Sequence, residues 1–155
     1  MRDVFRELGR ADALRLREEA HALTGTQIIR REVSVPTFEA QKDYTGWPVG
    51  APVTDEGQVW LLLQPHNAAD YGGRPSSLRA LWGLAHTTDA DRARPWVDPY
   101  GTSGMYMQGE CYRDEGGTVW RCRQDETIHS AAAWPEGWSR ERSEQRRGMT
   151  SERSE

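Results

Sequence analysis

Twelve residues stand out as able to do chemistry: seven Trp and five Tyr, all lying between Tyr44 and Trp138. Flat aromatic faces offer C–H contacts to sugar rings, and Trp presents the largest rigid face for only two side-chain torsions. The same residue also fills the thin core of a small module, so position decides between the two uses. Trp60 and Trp120 follow Val59 and Val119 in short strand-like runs, and Trp82 follows Leu81. All three are expected in cores. Tyr44 and Trp47 flank a Gly-Pro region, Tyr71 precedes Gly72-Gly73, and Trp134 and Trp138 bracket Pro135-Glu136-Gly137. These five loop aromatics are the candidate carbohydrate contacts.

Other reactive arrangements do not form. His66, His86 and His129 share no metal-ligand spacing, and two Cys without a nearby His pair do not make a zinc site. Asp55-Glu56 and Asp114-Glu115 fall in turns, where carboxylates are solvated, whereas a catalytic pair needs a cleft and a raised pKa. No phosphate loop, nucleophile elbow or metal motif is present in the sequence. The expectation is a non-enzymatic protein without metal or cofactor.

The aromatics are carried by an internal repeat. In the first copy Gly50 precedes Val53, the turn Asp55-Glu56-Gly57, then Val59-Trp60 and Gln64. In the second, Gly109 precedes Cys111, the turn Asp114-Glu115-Gly116-Gly117, then Val119-Trp120 and Gln124. The Gly-to-Trp interval is 10 in one copy and 11 in the other, and the Trp-to-Gln interval is 4 in both. Each copy reads as a β-hairpin. With Gly116-Gly117 as a two-residue turn, residue 113 pairs with 120 and Cys111 falls opposite Cys122. That register allows a disulfide without demanding one; two thiols packed side by side and a reactive thiol are the other readings.

Outside the repeat the composition changes. Residues 1–43 contain Phe5 and Phe38 but no Trp or Tyr, and residues 139–155 contain no aromatic. The first stretch reads as helix, with Asp3 as an N-cap for a turn bearing Val4, Phe5 and Leu8. Ala13, Leu16, Ala20 and Leu23 form one narrow apolar stripe. Thr24-Gly25 reads as a stop, and Thr26 as the cap of a short turn through Ile28 and Ile29. The stripe either packs on its own domain or, with Leu8, anchors the chain to a partner or to copies of itself. The last stretch offers only Met149 for burial, so it should be disordered or a frayed helix unless a partner orders it. The expected organisation is a helical anchor over 1–35, a small β module over 36–86, a second over 87–139, and a charged tail over 140–155. The fold class is mainly β with an N-terminal helical segment and two small antiparallel β modules in tandem.

Bulk properties narrow the partners. The 155 residues carry a net charge of −4, against the expectation for a phosphate-backbone binder. No run approaches the roughly 18 apolar residues of a membrane span. The start, Met1 to Glu7, lacks the apolar core of a secretory signal. Neither nucleic acid nor membrane is expected as a partner.

The order Tyr44…Val49-Gly50…Val53…Gly57…Val59-Trp60…Gln64-Pro65-His66…Tyr71…Pro75…Leu81-Trp82 resembles the small chitin-binding-like module, carbohydrate-binding family 5/12, in its phage and prophage structural form. Trp96-Val97-Asp98-Pro99…Gly109…Cys111…Gly117…Trp120…Asp125…Trp134-Pro135…Gly137-Trp138 resembles the module that follows it in such proteins. The resemblance spans about 95 of the 155 residues. It implies a small, mostly antiparallel β fold, no catalysis, and glycan binding through exposed aromatics. The paired platform aromatics of chitinase-linked modules are replaced here by Gln64-Pro65 and Gln124-Asp125, so the resemblance carries the fold further than the ligand. The reading that follows is a virion accessory protein made in the bacterial cytoplasm. Its helix would meet other virion subunits or further copies of the chain, and its modules would touch a host surface glycan. A purely structural capsid-decoration or tail subunit is the alternative, and a carbohydrate-binding appendage of a hydrolase is the third.

Overall fold

The computed structural model describes residues 2–141, with side chains from Leu8 onward. The charged tail from residue 142 lies outside the described residues, as do the side chains of Asp3, Val4 and Phe5. The fold is mainly β with an N-terminal helical segment, and the chain divides into two compact units, one ending at Ala85 and one starting at His86.

The first unit begins with α1 (Arg2–Glu19), which runs through Gly9, followed by a 3-10 turn at Ala20–Ala22 and the short α2 (Gly25–Arg30). Thr24, rather than Thr26, caps α2. Its hydroxyl accepts from the Gln27 N–H at 3.2 Å while the Gln27 side chain accepts from the Thr24 N–H at 2.9 Å, and Thr26 is instead buried within the helix. Leu16 and Ala20 are fully enclosed with Ile28, Ile29, Val35, Val59 and Ala85, and Leu23 packs at the margin. The stripe therefore belongs to the core of its own unit. This corrects the reading of residues 1–35 as a separate anchor and removes Leu16 and Ala20 from any docking surface. The physical reason is that Val59, from a strand later in the chain, covers a face that a short helix cannot bury alone. Ala13 is half-buried, and Leu8 is 57% exposed.

A three-stranded antiparallel sheet follows, in the order β1 (Pro52–Asp55), β2 (Gln58–Leu62), β3 (Trp82–Leu84). Asp55 pairs with Gln58, so Glu56 and Gly57 form a two-residue loop with φ of 51° and 76°. These left-handed values define the tight turn whose twist matches that of the strands. Asp55, almost buried, receives both Nε and Nη2 of Arg74 at 3.0 and 2.9 Å, and Ser76 donates to Glu56 at 3.1 Å. Behind the sheet lies an aromatic cluster in which Tyr44 meets Trp82 edge-on at 5.3 Å and Phe38 in a stack at 6.0 Å. Trp60 and Trp82 are core, as their positions lead one to expect.

The second unit holds the strand order β4 (Arg94–Pro95), β5 (Cys111–Arg113), β6 (Val119–Cys122), β7 (Trp138–Glu141). The β4–β5 pair is parallel, a departure from an all-antiparallel module, and β7 extends the module to Glu141 rather than 139. Tyr106, Tyr112, Cys122, Ala131 and Trp138 form the core, with Trp96 and the half-buried Trp120 against it. Tyr106 is stacked on both Trp96 (4.8 Å) and His86 (3.7 Å).

The second hairpin does not turn at Gly116-Gly117. Arg113 pairs with Val119 and Cys111 with Arg121, while Cys122 pairs with Trp138. The Asp114 carboxylate sets this register by accepting from the Thr118 N–H at 2.9 Å and from Trp120 Nε1 at 3.0 Å, closing a longer loop. A slip of one residue sends a side chain to the other face. Cys111 and Cys122 thus point to opposite faces of the sheet, both buried and unbridged, and the facing-thiol register is overturned. Burial pushes the Cys111 thiol up to about 11, far from the thiolate that reactivity requires.

Candidate functional site

The five candidate aromatics separate once their surroundings are considered. Tyr44 is completely buried, its ring in the aromatic cluster and its hydroxyl accepting the Glu39 N–H at 2.9 Å. Trp138 opens β7 opposite Cys122, is 3% exposed, and donates Nε1 to the His129 carbonyl at 2.8 Å. Neither presents a face to a ligand; in both, a satisfied polar tip lets a large ring serve the core. Trp47 is half-buried beside Tyr44, with the Arg17 guanidinium 3.6 Å and Lys42 Nζ 5.5 Å from its ring centroid. Its π surface is engaged by cations of its own unit. Tyr71 is 43% exposed and stands edge-on to the buried His66 at 5.3 Å, on an open surface.

Trp134 differs from the other four. It lines a cleft of about 380 Å³ in the second unit, together with Gln124, Glu126, Thr127, Ile128, His129 and Ala133. The ring rests on Gly137, where an added Cβ would collide with the six-membered ring, so only glycine lets the indole lie this close to the backbone. Trp134 is anchored by its N–H, donated to the Ser130 carbonyl at 2.8 Å, and the 3-10 turn Pro135–Gly137 follows it.

The opposite lip is built by the segment 124–129. Thr127 is fixed by two backbone hydrogen bonds with Tyr106, at 3.0 and 2.9 Å, and by its hydroxyl donating to the Gln124 carbonyl at 2.6 Å. Glu126, between them, adopts φ 60°, a left-handed conformation that a non-glycine residue holds only when its surroundings impose it. Its N–H is directed to Met107 Sδ at 3.3 Å. Ile128 is 48% exposed at the cleft, and Ala133 adds a second apolar contact. The cleft is thus lined by one aromatic residue, two aliphatic residues and the polar residues Gln124, Glu126, Thr127 and His129. That mixture suits the alternating apolar and hydroxylated faces of a sugar ring.

Of the lining residues, only Trp134 is recognisable from sequence. The others come from a loop whose placement depends on the Tyr106–Thr127 pairing, a long-range contact with no local signature. The one local signal is the dense polar run Gln124-Asp125-Glu126-Thr127, one residue past the end of β6. Tyr100, 58% exposed, is a surface aromatic that the loop criterion omits. Among the described residues no group of three His, Cys, Asp or Glu side chains is arranged to hold a metal ion, and no helix is long and apolar enough to cross a membrane.

No protein-family model matches the chain, and no curated protein matches it either.

Proposed function

We propose that the chain is a non-enzymatic carbohydrate-binding accessory protein of a phage or prophage particle, whose second β unit contacts a host surface glycan through the Trp134 cleft. The observation that carries this reading is the Trp134 ring seated on Gly137 within a cleft of mixed aliphatic and polar lining. The sequence resemblance to phage-type chitin-binding-like modules supports the same class of ligand. Tyr44, Trp47 and Trp138 have other work and leave the ligand role to Trp134, with Tyr71 as a separate exposed ring on the first unit.

Affinity electrophoresis of the full chain through gels containing bacterial cell-wall and capsular polysaccharides tests the proposal. At least one polysaccharide should retard the protein, and Trp134→Ala should weaken that retardation about tenfold or more, the scale of losing a stacked aromatic anchor. Retardation that survives Trp134→Ala unchanged would move the site elsewhere.

A structural subunit without sugar binding is the second reading, and one observation favours it. Residues 8–12 of α1 are exposed, as is Leu14 (51%), beyond the part of the helix that Leu16 and Ala20 tie to the core. Light scattering of the full chain separates the two. A stable oligomer dispersed by Leu8→Glu would support assembly through this helix, and a monomer would remove the basis for it.

A further inference from the structure

We propose that the Trp134 cleft selects pyranose units bearing a free, protonated amine over neutral or N-acetylated ones; this rests on the carbohydrate reading above. Glu126 carries the selection. Glu126 lines the same cleft as Trp134, and its carboxylate engages no hydrogen-bond or ion-pair partner among the described residues. No Lys or Arg is among the residues lining the cleft, although the exposed Arg123 and Arg140 flank the segment that builds it. Asp125 already accepts the Gln108 N–H at 2.8 Å, and Glu136 is not part of the lining, which leaves Glu126 as the unspent charge at the cleft.

A carboxylate beside an aromatic face is a recognition pattern for ammonium. The ring quadrupole attracts the cation from one side and the carboxylate accepts its N–H donors from another. N-acetylation removes the charge and both attractions with it. A uronic or sialic acid would add like-charge repulsion. Gln124 and His129 line the same cleft as polar residues able to bond the hydroxyls of such a sugar, and Ile128 and Ala133 add apolar lining for its C–H surface.

Glu126 holds a left-handed backbone, φ 60°, in the segment that forms the lip. Its neighbours over-determine the strained conformation: Thr127 is clamped to Tyr106 and Gln124, and the Glu126 amide is held against Met107. The loop thereby fixes the backbone of Glu126 on the lip, and no cation among the described residues pairs with its carboxylate.

The test is titration of the full chain, followed by the indole N–H resonance of Trp134, with a glucosamine tetramer and with an N-acetylglucosamine tetramer at low salt. The amine form should bind about five- to tenfold more tightly, the combined scale of an exposed ion pair and an exposed cation–π contact. The preference should shrink as salt screens it. Glu126→Gln, which keeps the backbone and shape of the side chain, should remove the ion-pair share and leave only the about two- to threefold preference of the cation–π contact. Equal wild-type affinities, a ratio insensitive to both salt and Glu126→Gln, or an equally strong response of Trp134 to tetralysine would overturn the selection for amino sugars. If neither tetramer nor any polysaccharide moves the Trp134 resonance, the carbohydrate reading itself fails.

Discussion

Replacing Leu16 by Ala, with Leu8→Ala as its partner experiment, asks whether the N-terminal helix is part of a folded unit or an appendage. Leu16 is completely enclosed by Ile28, Ile29, Val35, Val59 and their neighbours, whereas Leu8 is 57% exposed on the same helix. Leu→Ala removes three carbons, and at about 0.8 kcal/mol per buried carbon the transfer loss alone is about 2.4 kcal/mol. The cavity left in a packed core raises this to about 2.5–5 kcal/mol. At position 8 no cavity forms and the cost should stay below about 0.5 kcal/mol. For a unit of this size each kcal/mol moves the melting point by about 4–8 °C, so Leu16→Ala should lower it by about 10 °C or more. Urea unfolding followed by the amide resonances of β2 reads the first unit directly. The result that would refute the reasoning is equal destabilisation by the two substitutions, or a β2 midpoint indifferent to Leu16→Ala. Either outcome would return the helix to the role of a separate anchor.

Gly137→Ala should displace the Trp134 ring and cost about 1–3 kcal/mol by overpacking, with loss of polysaccharide retardation; a chain that keeps both stability and binding would show the ring is not seated there. Mild oxidation should leave the monomer mass unchanged rather than two hydrogens lighter, because Cys111 and Cys122 occupy opposite faces, and iodoacetamide should label neither thiol rapidly at pH 8 without denaturant. The Trp120 indole and the Thr118 amide hold the Asp114 carboxyl below the usual carboxylate range. Its contribution is therefore present above the unfolded-state pKa and fades as pH falls through the lower folded-state value. Asp114→Asn should flatten that acid limb of the stability curve, and an unaltered limb would show that other carboxylates carry it.

Much of the architecture is legible in the chain because its signals are local. The Asp-Glu-Gly turns mark both hairpins, and the break between units at Ala85 and His86 follows the end of the first repeat. The apolar stripe marks the helix, but its covering partners Val59 and Ala85 come from residues far along the chain. The second register was hidden because a single carboxylate, Asp114, outweighs a Gly-Gly dipeptide that would otherwise favour a tight turn. Trp134 and Trp138 bracket one loop and look equivalent in sequence. What separates them is that the polar stretch Trp-Ser-Arg-Glu pairs with β6, which brings Trp138 inward opposite Cys122. Tyr44 was obscured for a related reason, since a Tyr in a Gly-Pro neighbourhood reads as a surface residue until its hydroxyl finds the Glu39 amide.

The unequal tips of the two hairpins determine where foreign sequence can be grafted. In the first, the tip is a two-residue loop, and its flanking Asp55 and its Glu56 are tied to Arg74 and Ser76. Any insertion there would pull the buried Asp55 carboxylate away from its Arg74 partner. In the second, Glu115, Gly116 and Gly117 are exposed at the end of a loop that Asp114 closes from below. An epitope tag or labelling peptide spliced between Gly116 and Gly117 would open the 3.0 Å bond from the Gly117 N–H to the Asp114 carbonyl, with an entropic cost that grows slowly with its length. The second hairpin is thus the natural display point of this scaffold, and the first is its locked counterpart.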